Sequence, residues 1–196
     1  DVNLLFFNDK TTNGLSDHGV SIGIYIGTGI GNAIFVNGKP LSGKNGVAGE
    51  LGHIPTGRKG KICGCGMEGC TECYASGRRL VEIMREYFPG DDISEIFSRH
   101  SNHPKILEFI EEIAMVIATE INILDPENVV IGGGVLNMKS FPRRELEQRI
   151  RRYVRQPFPE QRLQFKYSQD AVENGVKGAI GYTWQKLYNM KVGVTE

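Results

Sequence analysis

The chain has 196 residues, 40% of them hydrophobic and 23% charged, which is typical of a globular protein and not of a low-complexity or fibrous one. Lys and Arg together number 23, as do Asp and Glu, so the net charge is zero and the composition argues against nucleic acid or a membrane surface as a partner. No apolar run approaches the ~20 residues that cross a bilayer.

The first predicted elements are strands. Residues 20–26 carry branched apolar or aliphatic side chains at alternate positions, which predicts a strand buried on at least one face. A glycine-dense turn over 27–31 and a second apolar run over 33–36 follow. Asn37-Gly38 then predicts a type I′ hairpin turn, because both central positions of that turn need positive φ. Together these patterns predict an antiparallel meander.

Residues 41–73 form a long segment rich in glycine, polar residues and all four cysteines, and they predict a functional excursion organised by a metal. Clustered cysteines favour metal binding over a disulfide framework and indicate a cytoplasmic protein, and sets of four such ligands favour zinc. The spacing leaves two ligand sets open. These are all four cysteines, or one histidine with three of them: Cys63, Cys65, Cys70 and Cys73, or His53, Cys63, Cys65 and Cys70. Either set closes the coordination sphere and predicts a structural ion.

Helices dominate the remainder of the chain. The apolar pattern predicts them over 76–87, 106–124, about 141–154 and about 176–188, with short strands at 129–131 and near 163–167. Three strands followed by alternating helices and strands predict an α/β fold with a mixed sheet. The order is similar to that of the ribonuclease-H-like lobe of sugar kinases and actin-like ATPases.

Two glycine clusters lie at predicted strand ends, at 27–31 and 132–134. The first lacks the lysine of a P-loop and does not open a helix, so a tight hairpin explains it as well as a phosphate-binding turn does. Alternate glycines still let backbone N–H groups approach an anion. Two such turns in one chain favour nucleotide binding more than either does alone.

Four segments carry a resemblance to a known family. Residues 1–3, 27–31, 46–53 and 63–72 read Asp-Val-Asn, Gly-Thr-Gly-Ile-Gly, Gly-Val-Ala-Gly-Glu-Leu-Gly-His and Cys-Gly-Cys-Gly-Met-Glu-Gly-Cys-Thr-Glu. In this order they resemble the ROK family of bacterial sugar kinases and related repressors. The resemblance implies that residues 1–196 are the C-terminal lobe of a sugar kinase. The absence of an initiating Met leads us to expect that a first lobe precedes the chain.

The resemblance also implies a chemistry: ATP-dependent phosphorylation of a hexose to its 6-phosphate, with ATP, Mg²⁺ and a structural Zn²⁺, in a homo-oligomer, most simply a dimer. It implies that Asp1 is the catalytic base and that His53, Cys63, Cys65 and Cys70 hold the zinc, with Cys73 a bystander. The expected hexose-binding residues are Asn3, Glu50, His53 and Glu72. The expected nucleotide-binding residues are Gly27, Thr28, Gly29, Gly31, Gly132, Gly133 and Gly134.

Within the family, residues 1–3, 46–55, 132–143 and 153–159 are most similar to D-allose kinases, which favours D-allose as the hexose. Two other functions are considered. A ROK repressor would bind a sugar effector and DNA, and it would have little use for the phosphate-binding turn at 27–31. A zinc-stabilised sugar-binding module would lack catalysis. Asn32 stands where many family members continue with glycine.

Overall fold

In a computed structural model, which describes residues 2–169 and 173–191, a five-stranded mixed sheet forms the centre of the protein. Its strands are β1 (Val20–Ile26), β2 (Ile30–Val36), β3 (Lys39–Pro40), β4 (Asn128–Gly132) and β5 (Phe165–Tyr167). The spatial order is β3-β2-β1-β4-β5. The first three strands pair antiparallel, β4 pairs parallel with β1, and β5 pairs parallel with β4.

The antiparallel part is the predicted meander. Asn37 and Gly38 both have positive φ, 49° and 78°, as a type I′ turn requires. The glycine turn is shorter than predicted, because β2 already begins at Ile30 and Gly31 pairs with Tyr25 of β1. The turn therefore narrows to residues 27–29.

Seven α-helices lie within the described ranges: α1 (Val2–Thr12), α2 (Glu72–Ala75), α3 (Gly77–Tyr87), α4 (Ile96–His100), α5 (Pro104–Leu124), α6 (Arg143–Tyr153) and α7 (Asn174–Lys191). The predicted helices over 76–87, 106–124, 141–154 and 176–188 correspond to α3, α5, α6 and α7. Helix α1 and the short helices α2 and α4 lie outside the predicted helical ranges. None of the described helices is long and apolar enough to span a membrane.

The two faces of the sheet bury separate apolar clusters. On one face Ile22, Ile24 and Ile26 of β1 pack with the apolar sides of α3, α5 and α6. On the other face Phe6 of α1 packs with Tyr25, Ala33, Phe35 and Val130. Burying a side chain of this size contributes about 1.5–3 kcal/mol to stability. Because successive side chains of β1 point to opposite faces, the sequence of β1 determines which face of the sheet each helical layer covers.

Helix α5 ends where the sequence predicts, ahead of Pro126. Asp125 takes the left-handed conformation, with φ 44°, and its N–H donates to the carbonyl of Ile121. The chain then turns back, and the N–H of Glu127 donates to the carbonyl of Val20 at the start of β1. The carboxyl ends of β1 and β4 consequently lie side by side, and the glycine clusters meet at that edge.

Candidate functional site

A histidine and three cysteines form a compact group in the excursion. Ligand atoms of His53, Cys63, Cys65 and Cys70 all lie within 4.8 Å of one another. The Sγ of Cys63 is 3.5 Å from Nδ1 of His53, and the Sγ atoms of Cys65 and Cys70 are 3.7 Å apart. Zn–S bonds of about 2.3 Å in a tetrahedron separate two sulfurs by about 3.8 Å, so these two spacings are close to those around a tetrahedral zinc ion.

Backbone hydrogen bonds shape the excursion around this group. Isolated bridges pair Pro55 with Cys70 and Ile62 with Glu68, which folds residues 55–70 back on themselves. At the tip, the N–H of Cys63 donates to the carbonyl of Met67, and Gly66 has a φ of 90°. A left-handed residue here closes the turn without a side-chain clash, and it lets neighbouring thiols converge.

The thiols differ in their surroundings. The backbone N–H of Cys65 donates to the sulfur of Cys63 and lowers the pKa of that thiol to about 7, which favours the thiolate that a metal binds. Burial raises the pKa of Cys70 to about 12, so its thiolate needs a cation beside it. Cys73 lies on α2 next to Cys63, and its sulfur is outside the group of four. The geometry thus favours the set that contains His53.

Glu50, His53 and Glu72 lie around one corner. The carboxylate of Glu50 approaches Nε2 of His53 to 3.7 Å, on the ring edge that faces away from Cys63. The carboxylate of Glu72, at the start of α2, accepts from the N–H of Ile30 at 2.9 Å and lies over Gly52. Side-chain exposure is 58% for Glu50, 31% for His53 and 16% for Glu72, so Glu50 is the most accessible of the three and Glu72 the least.

The start of α1 borders the same corner. A Cβ on Gly31 would lie 2.4 Å from the Cγ1 of Val2, so the Val2 side chain packs directly on the Gly31 backbone. Asn3 is half-buried on the first turn of α1. Asp1, the predicted base, directly precedes this helix and lies outside the described residues. On the next turns, Asp9 accepts a 2.7 Å hydrogen bond from the Tyr25 hydroxyl, which fixes α1 to β1.

A cavity of about 490 Å³ opens on the other side of the glycine turn. Gly27 and Thr28 line one wall, Gly134 and Val135 a second wall, and α3 the third. The N–H of Gly77, the first residue of α3, donates to the carbonyl of Gly27 at 2.7 Å. The helix N-terminus and its partial positive charge therefore lie at the cavity, which suits an anion.

The seven glycine-turn residues divide into two groups. Gly27, Thr28 and Gly134 line the cavity, and a Cβ on Gly27 or Gly134 would meet open space. The other four are not among its lining residues. A Cβ on Gly29 would strike the carboxylate of Glu72, and one on Gly132 would strike Ser168. Gly133, with a φ of 96°, lies against the carbonyl of Ile26. These positions need glycine for close packing of the turns.

Two buried acids on α5, which are absent from the predicted site residues, hold the excursion and β2 in place. Glu112 accepts from Arg58 of the excursion at 2.7 Å, and the Arg58 guanidinium stacks over the Tyr74 ring at 4.6 Å. Glu120 accepts from the amide of Asn32 in β2. Sequence could have indicated Glu120, because it interrupts the apolar face of a helix three residues after Ile117.

The family model for the ROK family matches residues 1–186, and the chain belongs to that family. Among curated relatives, it is 27% identical over 170 residues to an N-acetyl-D-glucosamine kinase of Escherichia coli O157:H7, covering 79% of the chain and 56% of the relative. It is 39% identical over 117 residues to an N-acetylmannosamine kinase of Salmonella typhi, covering 57% of the chain and 40% of the relative. The chain thus spans about half the length of these relatives.

Solved structures of the family have the same fold. A ROK hexokinase from Thermus thermophilus superimposes with a TM-score of 0.74 at 29% identity, over 91% of this chain and 63% of that one. A ROK glucokinase from Streptomyces griseus, solved with glucose and AMPPNP, superimposes with a TM-score of 0.74 at 26% identity, over 90% of this chain and 64% of that one. A ROK transcriptional regulator, a homologue of the E. coli MLC protein, superimposes with a TM-score of 0.70 at 28% identity, over 91% of this chain and 49% of that one.

Proposed function

We propose that this chain is the C-terminal lobe of an ATP-dependent kinase that phosphorylates a hexose on its 6-hydroxyl. One observation carries the proposal. The glycine turn at 27–29 has the carboxylate of Glu72 against one side and the cavity beside α3 on the other. A hexose held at the Glu50–His53–Glu72 corner and a nucleotide held in the cavity would therefore meet across this turn.

The cavity residues suit ATP. The volume of the cavity lies within the roughly 300–1,000 Å³ common for ligand pockets. Leu80, Val81 and Val135 offer apolar surface to a base, while the N-terminus of α3 and the Thr28 hydroxyl lie where phosphates would be bound. ATP, with Mg²⁺ screening its charge, would supply the phosphoryl group. The complex of the Streptomyces glucokinase with AMPPNP supports this assignment.

The hexose corner suits hydroxyl groups. Carboxylates accept hydrogen bonds from neighbouring hydroxyls, and we assign this role to Glu50 and Glu72, with Asn3 beside them. With Nδ1 on a metal, His53 keeps its proton on Nε2 and can donate it to an acceptor such as a sugar oxygen. We assign the proton-accepting role to Asp1 from the sequence resemblance, because a carboxylate next to the 6-hydroxyl would take its proton during transfer.

We propose zinc as the ion held by His53, Cys63, Cys65 and Cys70. Nitrogen and sulfur donors at tetrahedral spacing select zinc over Mg²⁺ or Ca²⁺, which prefer oxygen. The ion would be structural, since four protein ligands leave no open position. Reduced thiols of this kind are in keeping with a cytoplasmic location.

The particular hexose is proposed to be D-allose, on the sequence similarity of residues 46–55 and 132–143 to D-allose kinases. The curated relatives named above act on N-acetylated hexosamines, which makes N-acetylglucosamine and N-acetylmannosamine the competing substrates. The test is a coupled assay of ADP release with these sugars, D-allose and D-glucose, on a full-length protein that contains this chain. The highest kcat/KM is expected for D-allose; a higher value for another hexose corrects the substrate and keeps the kinase.

A matched pair of variants tests the nucleotide cavity. Gly134→Val adds a side chain into open space and is expected to raise the KM for ATP about tenfold or more while leaving hexose binding unchanged. Ser16→Val, an exposed substitution away from the cavity, is the control. An unchanged ATP KM in Gly134→Val would place the nucleotide elsewhere.

The second candidate function is a sugar-responsive repressor, because the regulator homologous to MLC has the same fold and similar identity. Sequence-specific DNA binding that a hexose modulates, with no ADP release on any sugar, would favour it. The cavity beside the glycine turn supports the kinase instead. We further propose a homodimer, which sedimentation of the full-length protein would test.

A further inference from the structure

A buried polar pair lies beneath the corner that carries Glu50. Asn32 of β2 and Glu120 of α5 are 6% and 4% exposed. The Asn32 amide donates from Nδ2 to both carboxylate oxygens of Glu120, each at 2.7 Å. Neither residue belongs to the zinc group, the hexose corner or the cavity described above.

The carboxylate dictates how the Asn32 amide is oriented. Both oxygens of Glu120 accept from the Asn32 NH₂ group, which turns the amide oxygen away from the acid. That oxygen, Oδ1, is buried and has no hydrogen-bond partner among the described residues. An unpaired buried acceptor costs free energy, and natural cores contain few of them.

The unpaired oxygen points at the backbone of Gly49. A Cβ built on Gly49 would lie 2.7 Å from Asn32 Oδ1, so the Cα of Gly49 packs directly against it. Gly49 has a φ of 87°, in the left-handed region, and its carbonyl accepts from the N–H of Leu51 at 2.7 Å. Asn32 Oδ1 is therefore one of the contacts that limit the direction in which the chain leaves Gly49, together with the hydrogen bond from Leu51.

The residue after Gly49 is Glu50, which begins the 3-10 turn Leu51–His53. A small rotation at Gly49 would swing the Glu50 side chain, because it changes the backbone dihedral angles immediately ahead of it. His53 is held separately, through Nδ1 beside Cys63. Glu72 is held separately as well, by the N–H of Ile30. Of the three side chains at the hexose corner, Glu50 is thus the one whose direction depends on Gly49.

We propose, on the basis of the kinase function above, that Glu120 and Asn32 are positioning residues for the hexose. Glu120 sets the orientation of the Asn32 amide, Asn32 Oδ1 limits the backbone at Gly49, and Gly49 directs Glu50 at the sugar. Loss of the pair weakens hexose binding and leaves the phosphoryl-transfer residues in place.

The test is a swap of the two functional groups in the full-length protein. In Glu120→Gln the new amide can donate to Asn32 Oδ1, which frees Asn32 to turn; the hexose KM is expected to rise roughly 5- to 20-fold, with kcat within about twofold. In Asn32→Asp the hexose KM is expected to rise further, because two carboxyl groups then face each other. In the double variant, the amide introduced at position 120 would donate to one oxygen of the carboxylate introduced at position 32. The other oxygen of that carboxylate again faces Gly49, and the KM is expected to return to within about threefold of wild type.

Ser21→Ala is the control for general loss of stability. Ser21 is 2% exposed and accepts a 3.0 Å hydrogen bond from Asn128 at the opposite end of β1. We expect a lower Tm and an unchanged hexose KM. A KM that rises in Ser21→Ala as much as in Glu120→Gln, or a double variant that fails to recover, would overturn the positioning role.

Backbone hydrogen exchange over residues 46–53 decides the proposal independently of activity. Glu120→Gln and Asn32→Asp are expected to exchange faster there, while the double variant and Ser21→Ala match wild type. If the wild-type protein phosphorylates no hexose, the kinase proposal fails and the exchange result still decides whether the pair holds Gly49. Unchanged exchange in both single variants would refute the inference.

Discussion

At the scale of single residues, Glu120 shows how burial and hydrogen bonding compete. Burial raises its pKa from 4.5 to about 7, and the hydrogen bond from Asn32 opposes that rise without cancelling it. The folded protein therefore binds this proton more tightly than the unfolded chain does. Glu120 contributes stability that is fully present below pH 4.5 and is lost as the pH rises through about 7.

The corresponding prediction concerns Glu120→Gln, which cannot lose the proton. Between about pH 5 and pH 8 its Tm should fall less than that of wild type, since one source of the pH dependence has been removed. Thermal unfolding across this range is the measurement, with Glu108→Gln, an exposed acid on the same helix, as the control. Equal pH slopes in Glu120→Gln and wild type would contradict the raised pKa.

Asp1 and Glu50 should separate catalysis from binding. Asp1→Asn keeps an acceptor oxygen but cannot take the hydroxyl proton, so we expect hexose binding within a few-fold of wild type and turnover lower by about 10² to 10⁴. Glu50→Gln replaces one acceptor with a donor and should weaken hexose affinity instead. Calorimetric sugar binding with steady-state kinetics distinguishes them. Near-normal turnover in Asp1→Asn would mean that the base lies elsewhere.

At the scale of elements, the excursion over 41–73 has little apolar core of its own. Val47, Ile54, Ile62 and Met67 are exposed, while Leu51, Cys63 and Cys70 are buried. Backbone bridges, the Arg58–Glu112 ion pair and the proposed metal therefore hold its shape. Structural zinc of this kind contributes folding free energy directly.

Removal of one ligand should accordingly unfold the excursion. Cys63→Ser is expected to lose bound zinc, lower the Tm and make 41–73 sensitive to protease, while Cys73→Ser retains zinc and behaves as wild type. Metal analysis and limited proteolysis of reduced protein provide the measurement. Loss of zinc in Cys73→Ser would favour the four-cysteine set.

At the scale of the whole molecule, the proposed hexose corner and the cavity lie on either side of the glycine turn, so each ligand should stabilise the fold by itself. A ligand at a concentration of about 100 times its dissociation constant adds about 2.7 kcal/mol to the free energy of unfolding. This corresponds to a Tm rise of several degrees. We expect separate Tm increases with a hexose and with a non-hydrolysable ATP analogue in the full-length protein. Gly134→Val should keep the first increase and lose the second; loss of both would indicate a general defect in folding.

Local pattern determined much of this protein. Alternation along 20–26, the Asn37-Gly38 pair and the helical period of 106–124 predicted β1, its hairpin and α5, because side-chain periodicity and turn chemistry act over a few neighbouring residues. The density of cysteines predicted a metal site, which stays a prediction; ligand atoms of His53, Cys63, Cys65 and Cys70 lie within 4.8 Å of one another. The resemblance to the ROK family rested on short ordered segments, and the family match over residues 1–186 confirms it.

The tertiary structure decided how residues far apart in sequence meet. Nothing local in Gly-Thr-Gly-Ile-Gly indicates that Gly29 makes room for Glu72 while Gly27 faces a cavity. Likewise, Asn32 and Glu120 are 88 positions apart, and only the packing of α5 on the sheet brings an amide to a carboxylate and its oxygen to Gly49. Such contacts depend on how whole helices pack on the sheet. The burial and the hydrogen bonds of many residues must be satisfied at the same time, which no short segment of sequence can specify.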